Sequence, residues 1–340
     1  MLPNYSIVVR DKDSNYIGEF TSWAGLKFSE KMNNYGSCSF QVPVTSDELE
    51  YLVSMRRYET VIRRNGVDVW AGEQTNRYGS LSVDNPNWIT ITSHTFEEML
   101  NHMYTPRFVR YEQEDEGDIL KDLVDTFQAQ TDGDLGLTFG TYLTGTDRDR
   151  EYNTFNILEA FINMSNVIGG PDFWVTKDKV IHIVPHRGID KSVDTIFEWK
   201  VNIKSISISE DFSNPATKAT ILGAGFGSEQ LIYSEENASL RAVYGLREQR
   251  SSEVDVSIES TLEAKAQALI RKYKQPLMTV QLTQVSATLP SFGSVGLGDT
   301  VRVKLDEGFY AINNKFRVYG YEVSIDRDGK ESIEYIIGLI

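Results

Sequence analysis

The chain reads as an α+β protein, predominantly β: two copies of one small antiparallel β-barrel, with two smaller α+β units inserted. Three observations carry this expectation. Alternating apolar and polar runs, the two-residue period of half-buried strands, fill the stretch from Tyr58 to Met103. A shorter echo closes the chain, with Glu59-Thr60-Val61 opening the first series and Asp299-Thr300-Val301 the second. Apolar stripes at helical spacing are confined to the segments between.

The elements follow in order. Ser6–Arg10 and Tyr16–Phe20 flank the turn-like Asp11–Asn15, a hairpin signal, and Asn33–Gly36 is a second turn before a Ser37–Val42 strand. A short helical piece is expected over Asp47–Val53. Strands then run over Thr60–Arg64, from Val67 past the Asn65-Gly66 turn, and around Gln74–Val83 and Trp88–Ser93. Thr95 with Glu98 three residues on is a capping-box pattern for a short helix.

Beyond Pro106 an acidic run, Tyr111–Gly117, leads into a helix over Asp118–Ala129 with Ile119, Leu120, Leu123, Val124 and Phe127 on one stripe. A second helix spans about Thr154 to Val167 and stops at Gly169-Gly170-Pro171. Phe173–Thr176 and Val180–Val184 form a hairpin. Strands return at Ile203–Ser209 and Ala219–Leu222, Leu231–Ser260 reads as polar and irregular, and Thr261–Lys274 is a helix with Ser260 as its N-cap. From Met278 the chain is strand again, through Phe316–Ile325, the Asp328-Gly329 turn and a final Ser332–Ile340 strand. The expected units are therefore 1–105, a barrel; 106–194, α+β; 195–230 with 277–340, a second barrel; and 231–276, an inserted small domain.

Forty per cent apolar residues indicate a folded chain, and the formal charge of −15 opposes binding to nucleic-acid phosphates. Cys38, the only cysteine, excludes an internal disulfide and reads as a small residue packed in a sheet. No apolar run approaches the ~20 residues of a bilayer span, and the N-terminus has no signal-peptide pattern, so synthesis in a cytoplasm is expected.

No motif for chemistry survives inspection. His182 and His186 would sit about 13 Å apart on a strand, and Pro185 breaks the element between them. His94 and His102 flank a helix without a nucleophile nearby. Gly223-Ala224-Gly225-Phe226-Gly227 is followed by Ser228 and no helix, which suits a tight corner, not a pyrophosphate cradle. Asp132 and Asp134 lack the rest of a calcium loop. Asp147, Asp149 and Glu151 alternate with arginines as a self-compensating exposed loop, although any two carboxylates could in principle form a glycosidase pair. The expectation is no enzyme: no catalytic, cofactor-binding or metal-binding residue is nominated.

Several stretches together resemble the baseplate hub family of tailed bacteriophages, including tail hub proteins of long-tailed, non-contractile phages. They are Asn34–Pro43, Val61–Gly66, Val69–Gly72, Tyr244–Glu248 and Leu297–Val303. The resemblance implies two tube-type barrels, and a homotrimer whose six barrels continue a six-fold tail tube. It also implies a hexameric distal-tail or tail-tube ring as partner, other tail-tip proteins (fibre, receptor-binding, tape measure), and DNA only in transit. The place is then the virion tail tip, with no wall-degrading domain after the last strand. A bore that passes DNA should not be lined with clustered Lys and Arg. Arg63, Arg64 and Arg302 lie on barrel strands and should face protein neighbours where no acid pairs them. The alternatives are the hub of a contractile injection system, a tail-associated cell-wall hydrolase, or a carbohydrate-binding adhesin.

Overall fold

The structure, a computed structural model, describes residues 2–52, 57–83, 87–105, 108–211, 216–254, 256–273, 277–285, 290–326 and 328–339. Seven strands come first: β1 (Tyr5–Asp11), β2 (Tyr16–Phe20), β3 (Ala24–Lys31), β4 (Ser37–Pro43), β5 (Tyr58–Arg64), β6 (Val67–Ser80) and β7 (Trp88–Thr95). β3 is missing from the sequence expectation. Its Gly25, Lys27 and Lys31 dilute the apolar signal, although Ala24, Leu26 and Phe28 point inward at the proper spacing. The two short helical pieces are 3-10 turns, Asp47–Leu52 and Phe96–His102, and Val53 lies outside the described residues. Thr95 does not cap the second; its hydroxyl accepts from Gly36 N at 2.8 Å instead.

The middle segment holds β8 (Val109–Asp115), α1 (Glu116–Gln128), β9 (Thr138–Phe139), β10 (Asp147–Tyr152), α2 (Ile157–Ser165), β11 (Asp172–Val175) and β12 (Val180–Val184). The acidic lead-in is therefore a strand, and α1 starts at Glu116 because Asp115 accepts from Gly117 N at 2.8 Å. The supposed Asp147–Glu151 loop is the strand β10, paired with β8. Its alternation of sign has a structural use. Arg148 reaches the buried carboxylate of Glu116 at 3.0 Å, and Arg150 is itself buried. Helix α2 is shorter than expected: Thr154 adopts a left-handed φ of 51°, and Asn156 caps Glu159 N at 3.0 Å.

β13 (Ile196–Glu198) and β14 (Ile203–Asp211) follow. Then come β15 (Lys218–Leu222), β16 (Ile232–Glu236), α3 (Ala238–Tyr244), β17 (Glu248–Ser252) and α4 (Glu259–Tyr273). The chain ends through β18 (Leu277–Gln284), β19 (Thr300–Glu307), β20 (Tyr310–Ile325) and β21 (Glu331–Leu339). β15, expected in the second barrel, lies between β16 and β17 in a separate three-stranded sheet with α4 packed on it. The stretch expected to be irregular is strand, helix and strand. Helix α4 begins at Glu259, so Ser260 is inside it; Lys274 and the stop at Pro276 lie outside the described residues.

The large sheet runs β14-β18-β21-β20-β3-β4-β7-β6-β5-β1-β2, with β19 on β20 and β13 on β19. Its two halves share a plan. One is ordered β3-β4-β7-β6-β5, the other β14-β18-β21-β20-β19, and neighbours within each are antiparallel. Both long strands carry a one-residue bulge at the same point, after Gln74 in β6 and after Val318 in β20. Superposing the bulges places Glu59 against Thr300, because Glu59 faces Glu73 and Thr300 faces Arg317. The acid-Thr-Val echo is therefore one residue out of register. Since one step reverses the face of a strand, Val61 packs toward the middle segment while Val301 enters the core of the large sheet. The repetition lies in the strand order, not in those three letters.

One apolar core is continuous through both halves, with Phe20, Phe40 and Trp70 in one and Phe197, Phe316 and Tyr335 in the other. Cys38 is buried in it, as expected. A second core joins α1, α2 and β11–β12 to the back of the first half, and a third lies under α4.

Candidate functional site

The halves meet along one ladder. β20 and β3 pair antiparallel from Gly320 opposite Lys31 to Ser324 opposite Lys27, and Tyr319 O accepts from Met32 N at 2.8 Å. Beside it lies a cavity lined by Glu30, Glu97, Trp174, Lys177, Arg187 and Leu297, with Glu97 buried and Glu30 and Arg187 half-buried. Glu97 accepts from Val175 N at 2.9 Å through Oε1, while Oε2 has no hydrogen-bond partner among the described residues. Burial pushes this carboxyl up to about 7. Burial also raises Glu30, opposed by the guanidinium of Arg187, which lies 4.6 Å over the Trp174 ring.

Ion pairs bind the middle segment to both halves. Asp172 accepts from Asn33 Nδ2 at 3.0 Å in the β3–β4 turn, from Arg187 N at 2.7 Å, and from Arg317 Nη2 of β20 at 2.5 Å. Lys179 pairs with the buried Glu59, and Lys191 with Asp299 at 2.7 Å. At the other end of the junction, Tyr5 donates to Glu331, which also holds Arg64 Nε at 2.8 Å. This joins β1, β5 and β21. The Tyr5 phenol is pushed far up, by burial first and by Glu331 second.

Among the described residues, the unpaired edges of the large sheet include β2 and β13, and also part of β6 and one side of β14. β5 leaves β6 at Glu73, and on that side the rest of β6, to Ser80, meets no strand among the described residues. Every residue from Thr75 to Ser80 is exposed, Tyr78 to 65%, with Leu81 and Val83 exposed just beyond. The corresponding part of β20 is the part that pairs with β3. Likewise β14 pairs with β18 on one side, and beyond an isolated bridge from Ile203 to Trp199 its other side meets no strand among the described residues. Ile206 and Ile208 turn toward the core while Ser205, Ser207 and Ser209 are exposed.

The residues weighed for chemistry are dispersed into structural tasks. His182 stacks on Trp174 at 4.9 Å and accepts from Thr141 N at 3.2 Å, and His186 stands 4.0 Å from Asp172. His94 packs on Tyr35, and His102 contacts Glu98 at 3.1 Å. Asp149 accepts from Gln113 N at 2.8 Å, and Glu151 from Ser257 at 2.7 Å. Asp134 accepts from Gly136 N at 2.8 Å within its own turn. Gly223 and Gly225 make the corner between β15 and β16: Gly225 has φ 98°, and a Cβ there would meet Glu229 O at 2.4 Å. Arg63 and Arg64 are held by Asp68 and Glu331; Arg302 contacts Ser192 O and Asn313 at 3.3 Å. Among the described residues no cluster of three or more His, Cys, Asp or Glu could hold a metal. The open edges and the buried junction had no signature in the sequence, since both depend on which strands become neighbours.

No family model matches this sequence, and no curated protein does. Solved structures do. The tail protein from Neisseria meningitidis is 16% identical, with a TM-score of 0.69 over 98% of this chain and 96% of that one. The tail protein of prophage MuSo2 from Shewanella oneidensis is 10% identical, with a TM-score of 0.68 and 98% of both chains covered. This chain has the fold of those tail proteins. An E. coli component of the type VI secretion system, described as similar to bacteriophage T4 tail proteins, shares it more distantly: 9% identity, a TM-score of 0.53, and coverage of 93% and 73%.

Proposed function

We propose that this chain is a structural hub protein of a bacteriophage tail tip or baseplate. Strands β1–β7 form one tube-type barrel, and β13, β14 and β18–β21 form the second. Three copies make a ring of six barrels that continues a hexameric tail-tube or distal-tail ring, binds further tail-tip proteins, and lets DNA pass. The supporting observation is the repeated order of five strands: a three-fold ring docks evenly on a six-fold one only if each chain offers two near-equivalent surfaces. Its role is assembly, not catalysis, and it acts in the virion. The similarity to a type VI secretion component favours one second reading, the hub of a contractile injection device, in which the ring would be the same. Counting copies per particle by averaged electron microscopy of assembled tails tests the proposal. Three copies around the tube axis are expected, and six or one would refute it.

A further inference from the structure

We propose that the exposed half of β6 in one copy adds antiparallel to the open edge of β14 in a second copy. This repeats between chains the junction that β20 and β3 make within one. The inference rests on the ring reading above and names the strands that close it. With the bulges superposed, Tyr78 stands where Glu322 does. Carried across β7 and β21, then β4 and β18, the same superposition sets Ser209 of β14 where Ser29 of β3 stands. Glu322 faces Ser29 within the chain. Tyr78 then faces Ser209 of the second copy, Arg77 its Glu210, and Gly79 its Ile208.

Independent features agree with this register. Arg77 and Glu210 are opposite in charge and exposed, although Arg77 Nη1 also donates to Leu52 O of its own chain at 2.6 Å. Tyr78, Leu81 and Val83 expose apolar area next to a row of backbone donors and acceptors, which is how a sheet edge awaiting a strand looks. The two edges belong to different strands, so the contact is head-to-tail and closes into a ring if the rotation permits. A second copy is the occupant because one chain carries both complementary edges and already contains the template that joins them.

Disulfide trapping tests the pairing. Because Tyr319 and Met32 are a hydrogen-bonded pair, Glu322 and Ser29 form a non-hydrogen-bonded one, with Cα atoms about 4.5 Å apart and within disulfide reach. The full chain carrying Tyr78→Cys and Ser209→Cys is oxidised mildly over a concentration series and read on a denaturing gel. Cys38 is buried, and burial raises its thiol, so it does not compete. Linked multimers ending in a discrete three-chain species are expected. They should be absent from either single variant and strongly reduced with Gly79→Cys in place of Tyr78→Cys. In the doubly cysteine-bearing chain, Arg77→Glu should lower linking several-fold, and adding Glu210→Arg should restore it. Absence of linked species at every concentration, or equal linking by the offset pair, overturns the inference. A ladder running past three chains keeps the edge pairing and refutes the three-copy ring.

Discussion

Two lysines of the middle segment carry out one task with unlike partners. Lys179 and Glu59 are both buried, so neither charge is relieved by water if the other is removed. Lys179→Met should cost about 3–5 kcal/mol, and adding Glu59→Gln should recover most of it. Equilibrium denaturation of the single and double variants checks this; equal instability of the two would show that the carboxylate finds another partner. Glu97 makes a pH-dependent contribution. Its carboxyl titrates near 7 when folded, against an ordinary 4.5, so between those values the folded chain keeps a proton that the unfolded chain releases. Stability therefore falls as pH rises through that window, by about 3 kcal/mol in full. Glu97→Gln should gain on the parent from pH 5 to about 7 and level off above it, and parallel stability curves for the two would contradict this. At this scale the sequence was readable for core residues, since Phe40, Trp70 and Phe316 lie at alternating positions and are buried. It was silent on Glu97 and Lys179, whose burial depends on strands far away in the chain.

Among elements, the insert is the one most nearly independent. Its core shares no residue with the others, and the large sheet is interrupted where Asp211 faces Leu277, at the end of the antiparallel pair β14 and β18. A short hairpin turn in place of residues 212–276 should therefore leave the rest folded. The expected loss is small. It includes the hydrogen bonds of Thr261 with Asp149 O at 3.0 Å and Arg150 at 3.2 Å, and that of Ser257 with Glu151. Thermal unfolding should stay cooperative; loss of cooperative melting would show that α4 is needed to hold β10. Helices α1, α2 and α4 were legible because their apolar period is local, whereas α3 was missed and the expected caps Thr95 and Ser260 do not cap. β3 and β10 were not legible, because lysines, glycine or alternating charge masked strands whose burial comes from neighbours.

For the whole molecule, repetition was legible only in outline. Strand order repeats, yet the acid-Thr-Val triplets stand one position apart in the ladder. In the proposed ring, the charge of −15 bears on the lining of the bore. The potential along the bore of a solved assembly should be negative or neutral, and a continuous positive belt would contradict passage of DNA without retention.

The junction between β20 and β3 also bears on the concentration at which the proposed ring can form. In a ring of six barrels, half of the contacts between neighbours are made during folding, by a chain that cannot dilute itself. Only the remaining half depends on encounters. Assembly from single-barrel subunits would scale with the sixth power of their concentration at equilibrium, whereas three double-barrel chains scale with the third. Duplication within the chain thus lowers the molecularity of ring closure, so a complete ring can form at concentrations where single barrels would remain dispersed.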